Sequence, residues 1–260
     1  MSTLAAGSNL AQITEPSRPV QRPWLVLGLQ LLGILAALAA VAIWLANSDL
    51  SETERTTLAP AVLWGYTVEH LNLTVVAALI VLVISIPLGI VLTRPSMRRF
   101  TNPVMAVANI GQAAPAIGLV VILAFLVGFG YWAAVISLVL YAILPVLTNT
   151  MVGLKQVDER LVEAGRGMGM SSMAVLFKVE LPLAVPVMLS GIRTALVLLV
   201  GTATLAAFIN GGGLGILITT GVNLNLTVVL IAGSLLVALL ALLIDWLGRV
   251  VEQLARPKGL

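Results

Sequence analysis

Residues 155–182, KQVDERLVEAGRGMGMSSMAVLFKVELP, form a charged island between two long apolar blocks, and their pattern is too regular for a plain linker. Gln156 to Arg166 carries helix-forming residues, with Asp158 and Glu159 early and Arg166 late, the order a helix dipole prefers. Gly165, Gly167 and Gly169 then lower helix propensity and allow another backbone to come close. Ser171 and Ser172 are suited to capping a second helix, in which Met173, Val175, Leu176 and Val179 supply apolar surface. Pro182 fits the first turn of the helix after that, where its missing N–H costs nothing. The expectation is two short surface helices joined at a glycine-rich elbow. Such a unit either rests on lipid headgroups or fits a groove on another protein and carries rigid-body motion into its neighbours.

The blocks around this island place it at a membrane. The chain is 60% hydrophobic and 10% charged, with a mean hydropathy of +1.09; soluble domains carry about 25% charged residues. A helical span needs about 20 mostly apolar residues to cross about 30 Å of hydrocarbon. Six segments qualify: 24–46, 70–92, 103–127, 131–152, 183–209 and 226–248. The third and fourth are separated only by Gly128-Phe129-Gly130 and must form a tight hairpin. The first span has basic flanks, but its apolar run exceeds the roughly 7–15 residues of a signal peptide, so it reads as an uncleaved anchor. The expected organisation is a tail over 1–23, an anchor over 24–46, a partly helical external loop over 47–69, a core over 70–250 and a tail over 251–260.

Basic residues set the orientation. With the N-terminus inside, Arg18, Arg22, Arg94, Arg98, Arg99, Lys155, Arg160, Arg166, Lys178, Arg249, Arg256 and Lys258 are all cytoplasmic, 12 of the 14. Arg55 lies outside, in a loop that also carries Asp49, Glu52 and Glu54, and Arg193 lies within a span. Both termini are therefore expected in the cytoplasm. Clustering beside apolar runs also explains the net charge of +3 without nucleic acid. The absence of cysteine and the single histidine, His70, exclude thiolate chemistry and histidine-rich metal centres. No phosphate-binding G-x-x-x-x-G-K-S/T loop occurs, so any nucleotide hydrolysis belongs to another chain. No nucleophile–base constellation is recognisable.

The spacing within 155–182 adds a resemblance. Glu163-Ala164-Gly165, three residues, Gly169, nine residues, Val179, one residue and Leu181-Pro182 resemble the EAA loop of ABC-importer permeases, with Gly165 replacing an alanine and Val179 an isoleucine. From about Gly65 to Gln253 the chain looks like the five-span core of type I importer permeases, with the first span as an addition. Within that group it is most similar to the quaternary-amine class, on Asn109-Ile110-Gly111-Gln112-Ala113-Ala114-Pro115, Gly191-Ile192-Arg193-Thr194-Ala195, Gly201 to Ile209 (GTATLAAFI) and Gly211 to Gly215 (GGGLG). The last run is shared with methionine importers, and Asn210 stands where that class has glycine.

The resemblance implies an all-α integral membrane protein of six spans in the plasma or inner membrane of a prokaryote. It would serve as the permease subunit of an ATP-driven importer for glycine betaine, carnitine or choline. The implied partners are two cytoplasmic ATPase subunits that bind ATP and magnesium, a second copy or a sister permease, and an external solute-binding protein. No cofactor is bound by this chain itself. Glu163, Ala164, Gly165, Gly169, Leu181 and Pro182 would form the ATPase-coupling loop. A methionine or other amino-acid importer is the alternative, and a stand-alone secondary transporter or channel leaves the 155–182 spacing unexplained.

Five residues are candidates for a passage or gate. Gln112 and Pro115 sit where a proline kink frees a carbonyl to line a cavity, or where small neighbours serve close packing. Arg193 is a costly mid-span charge with a structural or gating role, within reach of the cytoplasmic face or of Asp245. Thr202 and Thr204 line the passage or, the favoured reading, bond back to their own helix. Glu69 and His70 read as a polar pair at the outer interface rather than a pH sensor. With aromatics at 5% and no cluster of Trp or Tyr at close spacing, recognition of a quaternary ammonium at high affinity is assigned to the binding protein.

Overall fold

The computed structural model describes residues 23–255, and among these the regular structure is all helical. The expectations for the N-terminal tail, with Arg18 and Arg22, and for Arg256 and Lys258 lie outside the described residues. Among the described residues, five helices are long and apolar enough to cross a bilayer, or six if one sharply bent pair counts as a span.

Helix α1 (Pro23–Asn47) leads into a short α2 (Glu52–Thr57). Ser51 caps α2 by accepting the Glu54 N–H, while Glu54 accepts the Ser51 N–H in return, a capping box. Helix α3 (Pro60–Thr93) starts ten residues before the expected 70, with Pro60 in its first turn. Its 34 residues reach about 51 Å, more than the hydrocarbon needs, so its polar Glu69 end extends beyond the apolar run.

The third expected span, 103–127, is not one helix. It divides into α4 (Arg98–Ala113) and α5 (Ala116–Val127), bent by 101°. Ala114 adopts an extended backbone with ψ 141° because the following Pro115 disfavours helical geometry there. At about 24 Å and 18 Å, neither half crosses alone. Gly128 and Gly130, both at positive φ, join α5 to α6 (Tyr131–Lys155) as a tight hairpin.

After the elbow helices α7 (Glu159–Gly167) and α8 (Ser172–Val175), a wide π-type turn (Leu176–Glu180) leads into α9 (Leu181–Thr202). A 3-10 segment (Ala203–Ile209), α10 (Gly215–Asn223) and α11 (Thr227–Ala255) follow.

Helices α3, α6 and α9 form the centre. Leu73, Ala77 and Val81 of α3 meet Ala134, Leu138, Ala142 and Val146 of α6 and Ala195 and Leu199 of α9, all buried. Alanine dominates this contact because between helices in lipid it is close packing, not escape from water, that supplies the attraction. A second cluster joins Val200 of α9 with Leu214, just before α10, Leu217 of α10, and Val229, Ala232 and Val237 of α11. Helix α1 sits outside the bundle against α11, tied by the Trp246 indole N–H donating to the Leu27 carbonyl at 2.9 Å. Its Leu25, Val26, Leu29 and Leu32 remain exposed, as suits a lipid-facing helix.

Candidate functional site

The elbow is built by end-capping chemistry. Asp158 starts α7 by accepting the Arg160 N–H through Oδ1 at 2.9 Å. At the other end the Gly169 N–H donates to the Arg166 carbonyl (2.9 Å) and the Met170 N–H to the Gly165 carbonyl (3.1 Å). These two bonds make a Schellman closure, which needs a left-handed residue at the first position past the cap. Gly169 supplies it, with φ +82°. Ser171 then opens α8 by accepting the Ala174 N–H at 3.3 Å.

Gly165 is the buried residue of α7 and faces Met170, Val175 and Val179 of the returning arm. A Cβ built at 165 would lie 3.4 Å from Met170 Sδ and Val175 Cγ2, ordinary contact. Gly165→Ala is therefore expected to raise stability by about 0.5–1 kcal/mol through helix propensity, read as a higher melting temperature of the purified protein with transport retained. Glu163 and Ala164 point away from this packing and are exposed, as are Leu161, Met168, Met173 and Phe177. The elbow thus offers an outer surface on which Glu163 and the large apolar side chains stand among further exposed charges, Asp158, Glu159, Arg160, Arg166 and Lys178.

The second arm differs from expectation. It is not a separate surface helix, because α8 runs through the π-type turn directly into α9, giving one helical rod from Ser172 to Ile209. Within it the Leu181 N–H donates to the Leu176 carbonyl, five residues back. Pro182 is the physical cause we assign: its ring and missing N–H conflict with a regular α ladder, and a widened turn accommodates both. Leu181 and Pro182 are thus a joint within a continuous rod rather than the start of a new helix.

An ion pair braces that joint. Arg94, at the end of α3, donates from both terminal nitrogens to Glu180, the longer bond being 3.2 Å. Glu180 is buried, whereas the Arg94 side chain is 32% exposed. Sequence reasoning missed this contact because the partners are 86 residues apart. The available signal was an acid flanked by Val179 and Leu181, at an otherwise apolar position just before a span.

The remaining candidates do not converge on one site. Arg193 lies between α9 and α11, its guanidinium 3.7 Å from Asp245 and 3.6 Å from Glu252, with its stem against Gly248. Thr202 and Thr204 donate back to the Leu198 and Gly201 carbonyls, each at 2.7 Å. Thr204's backbone lies directly against Gly215. Gln112, half-buried, ends α4, and Pro115 forms the break before α5, so these two mark a change of direction rather than a kinked span. Among the described residues no three His, Asp or Glu side chains gather into a metal-binding set.

At the opposite end of the bundle, His70 is buried at the foot of the 210–213 loop and is within 3.0 Å of the Val200 carbonyl through Nε2. Its neighbour Glu69 accepts the Gly213 N–H at 3.0 Å. Glu69 therefore holds the glycine loop, whereas His70 ties α3 to α9 and packs against Gly213.

Residues 85–257 match the family described as binding-protein-dependent transport system inner membrane component, which spans the elbow, its brace partner Glu180 and every core helix from the last third of α3 onward. The chain belongs to this family. Over 192 residues it is 40% identical to the glycine betaine/carnitine/choline transport system permease protein OpuCB of Bacillus subtilis, covering 74% of this chain and 88% of that one. The choline transport system permease protein OpuBB of Bacillus subtilis is 39% identical over 194 residues, 75% and 88% of the two chains. The osmoprotectant import permease protein OsmW of Salmonella typhimurium is 38% identical over 199 residues, 75% and 92%. Among solved structures, an inward-facing MetNI methionine ABC transporter chain superposes with a TM-score of 0.68 at 26% identity, covering 80% of this chain and all of that one. The protein is thus a multi-pass membrane component of the ABC-importer type, with the permease fold anticipated from its sequence.

Proposed function

We propose that this family member is the permease subunit of an ATP-driven importer of osmoprotectants such as glycine betaine, carnitine or choline. The observation that carries the substrate class is 38–40% identity to three permease proteins named for those solutes or for osmoprotectants, over about three quarters of this chain. The similarity to a methionine transporter chain, at 26%, supports the fold and gives the competing substrate.

The elbow supports the coupling role. Glu163 and the apolar Met168, Met173 and Phe177 stand exposed on a unit whose second arm is continuous with α9. In this reading two separate ATPase subunits hold ATP and magnesium and seat the elbow in a groove. Closing of the ATPases moves α7, and α9 follows as one rod. The bundle, paired with a second copy or a sister permease, then opens outward to an external binding protein. In this reading the elbow end and both termini are cytoplasmic, a topology supported by the clustering of lysine and arginine in those segments of the sequence.

The test is uptake by the complex reconstituted with its ATPase and binding protein. Labelled choline or glycine betaine should accumulate with ATP, and methionine should not; the reverse preference overturns the substrate assignment.

Arg193 enters this reading as a tie between α9 and α11 with a gating role. Arg193→Ala is expected to lower the melting temperature of the complex by about 2–4 °C, corresponding to about 1 kcal/mol, and to alter uptake while the subunits still co-purify. Unchanged uptake retires the gating role.

A further inference from the structure

At the end of the bundle opposite the elbow, a hollow of about 450 Å³ opens between the α3, α6 and 210–213 segments. Its size falls in the range of small-molecule sites, about 300–1,000 Å³. Glu69, Asn72, Tyr131, Asn210 and Gly212 line it, with Val68 at the side. These residues are far apart in sequence, and most are held in place. Glu69 Oε2 accepts the Gly213 N–H at 3.0 Å, and among the described residues Oε1 has no hydrogen-bond partner. The Tyr131 hydroxyl donates to Asn72 Oδ1 at 2.6 Å, and its ring stands edge-on to Trp132 with centroids 5.4 Å apart. Asn210 takes a left-handed backbone, φ 58°, that turns the chain into the glycine loop. Gly212 approaches the carboxylate so closely that a Cβ there would lie 2.8 Å from Glu69 Oε2.

The chemistry selects a ligand class. A fixed carboxylate with a free oxygen and an oriented phenol ring attract an organic cation, the first by charge and the second through its quadrupole. No lysine or arginine lines the hollow to compete for Glu69. Among the described residues, this end of the bundle carries Asp49, Glu52, Glu54 and Glu69 against Arg55 alone, a field that draws cations toward it. We infer that the hollow is a mouth subsite for a quaternary ammonium group, occupied as solute passes from the binding protein into the bundle. The inference rests on the osmoprotectant reading above and adds to it where the permease itself holds the solute. One carboxylate and one ring make a weak site, as a passage requires.

The experiment measures binding of labelled choline to the purified permease–ATPase complex in nanodiscs, with no binding protein present and tetramethylammonium as competitor. Wild type is expected to bind choline saturably in the millimolar range, displaced by tetramethylammonium. Glu69→Gln keeps an oxygen to accept the Gly213 N–H but removes the charge, and is expected to weaken binding about tenfold. Tyr131→Leu should weaken it by a similar factor, and Glu69→Asp less than Glu69→Gln. ATPase co-purification and a single symmetric elution peak establish that each variant is folded. Equal affinity in wild type and Glu69→Gln overturns the subsite, as does an absence of saturable binding when the full system accumulates choline. A full system that accumulates no quaternary amine instead removes the substrate reading, and the ligand assigned to the subsite falls with it.

Discussion

Gly169→Glu is expected to strip the ATPase from the complex while the permease remains folded in the membrane. Gly169 sits at φ +82° and closes the Schellman turn that brings α7 back onto the arm leading to α9. A side chain in that conformation costs about 1–2 kcal/mol, so the elbow opens or shifts to relieve it. No atom lies within 4 Å of a Cβ built at 169, so the new carboxylate projects from the elbow rather than into the bundle. The damage is thus confined to the surface proposed to meet the ATPase. Co-purified ATPase should fall tenfold or more at equal permease yield. Gly167→Ala is the matched control: that glycine is helical and also faces open space, and its replacement should change nothing. Glu163→Ala, which removes the exposed carboxylate without disturbing the turn, is expected to weaken association to a smaller degree. Normal ATPase association in both Gly169→Glu and Glu163→Ala places the interface elsewhere.

The second large effect is expected at the brace. Glu180→Ala leaves Arg94 half-buried without its carboxylate, and Arg94→Ala leaves a buried carboxylate without its cation. Removing one member of a buried pair typically costs about 3–5 kcal/mol; the partial exposure of Arg94 brings the expected loss to about 2–3 kcal/mol. The functional signature is more specific. The elbow is intact in these variants, so the ATPase should still bind and hydrolyse ATP. The joint at Leu181 and Pro182 loses its tie to α3, so uptake per ATP should drop severalfold. A double variant, Arg94→Ala with Glu180→Ala, should be no worse than either single one, because the two residues act as one contact. Fully additive losses, or unchanged uptake per ATP, would show that the pair does not serve as a brace.

How much of this was legible in the sequence differs between elements. Long apolar runs announce spans directly, since lipid and neighbouring helices are alike to a side chain. Direction is not carried by the same signal. The run 103–127 reads as one span, yet Pro115 imposes an extended Ala114 and turns the chain by 101°. The signal was present in the polar, amphipathic character of residues 98–113 and in the proline itself. Helix α3 began earlier than anticipated because Trp64 to Glu69 lies beyond the uninterrupted apolar run, and hydropathy does not register helix that extends past the hydrocarbon.

The elbow was legible because its devices are local: an N-cap, a glycine at a left-handed position and a second cap, all within a few residues. Its second arm was misjudged, since Pro182 reads as a helix start until the widened turn before it is seen. The Arg94–Glu180 brace and the Glu69–Gly213 contact were beyond reach, at separations of 86 and 144 residues. Thr202 and Thr204 show the converse: their hydroxyls satisfy carbonyls on the preceding turn, the favoured expectation for such residues in an apolar helix.

The most direct test of the whole account is ATP-driven accumulation of choline in proteoliposomes, assembled with and without each component. With permease, ATPase, binding protein and ATP all present, labelled choline should concentrate inside, and omission of the ATPase or substitution of Gly169→Glu should abolish this. Uphill choline transport by the permease alone, or full transport by the Gly169→Glu complex, contradicts the claim that the elbow delivers work from a separate ATPase.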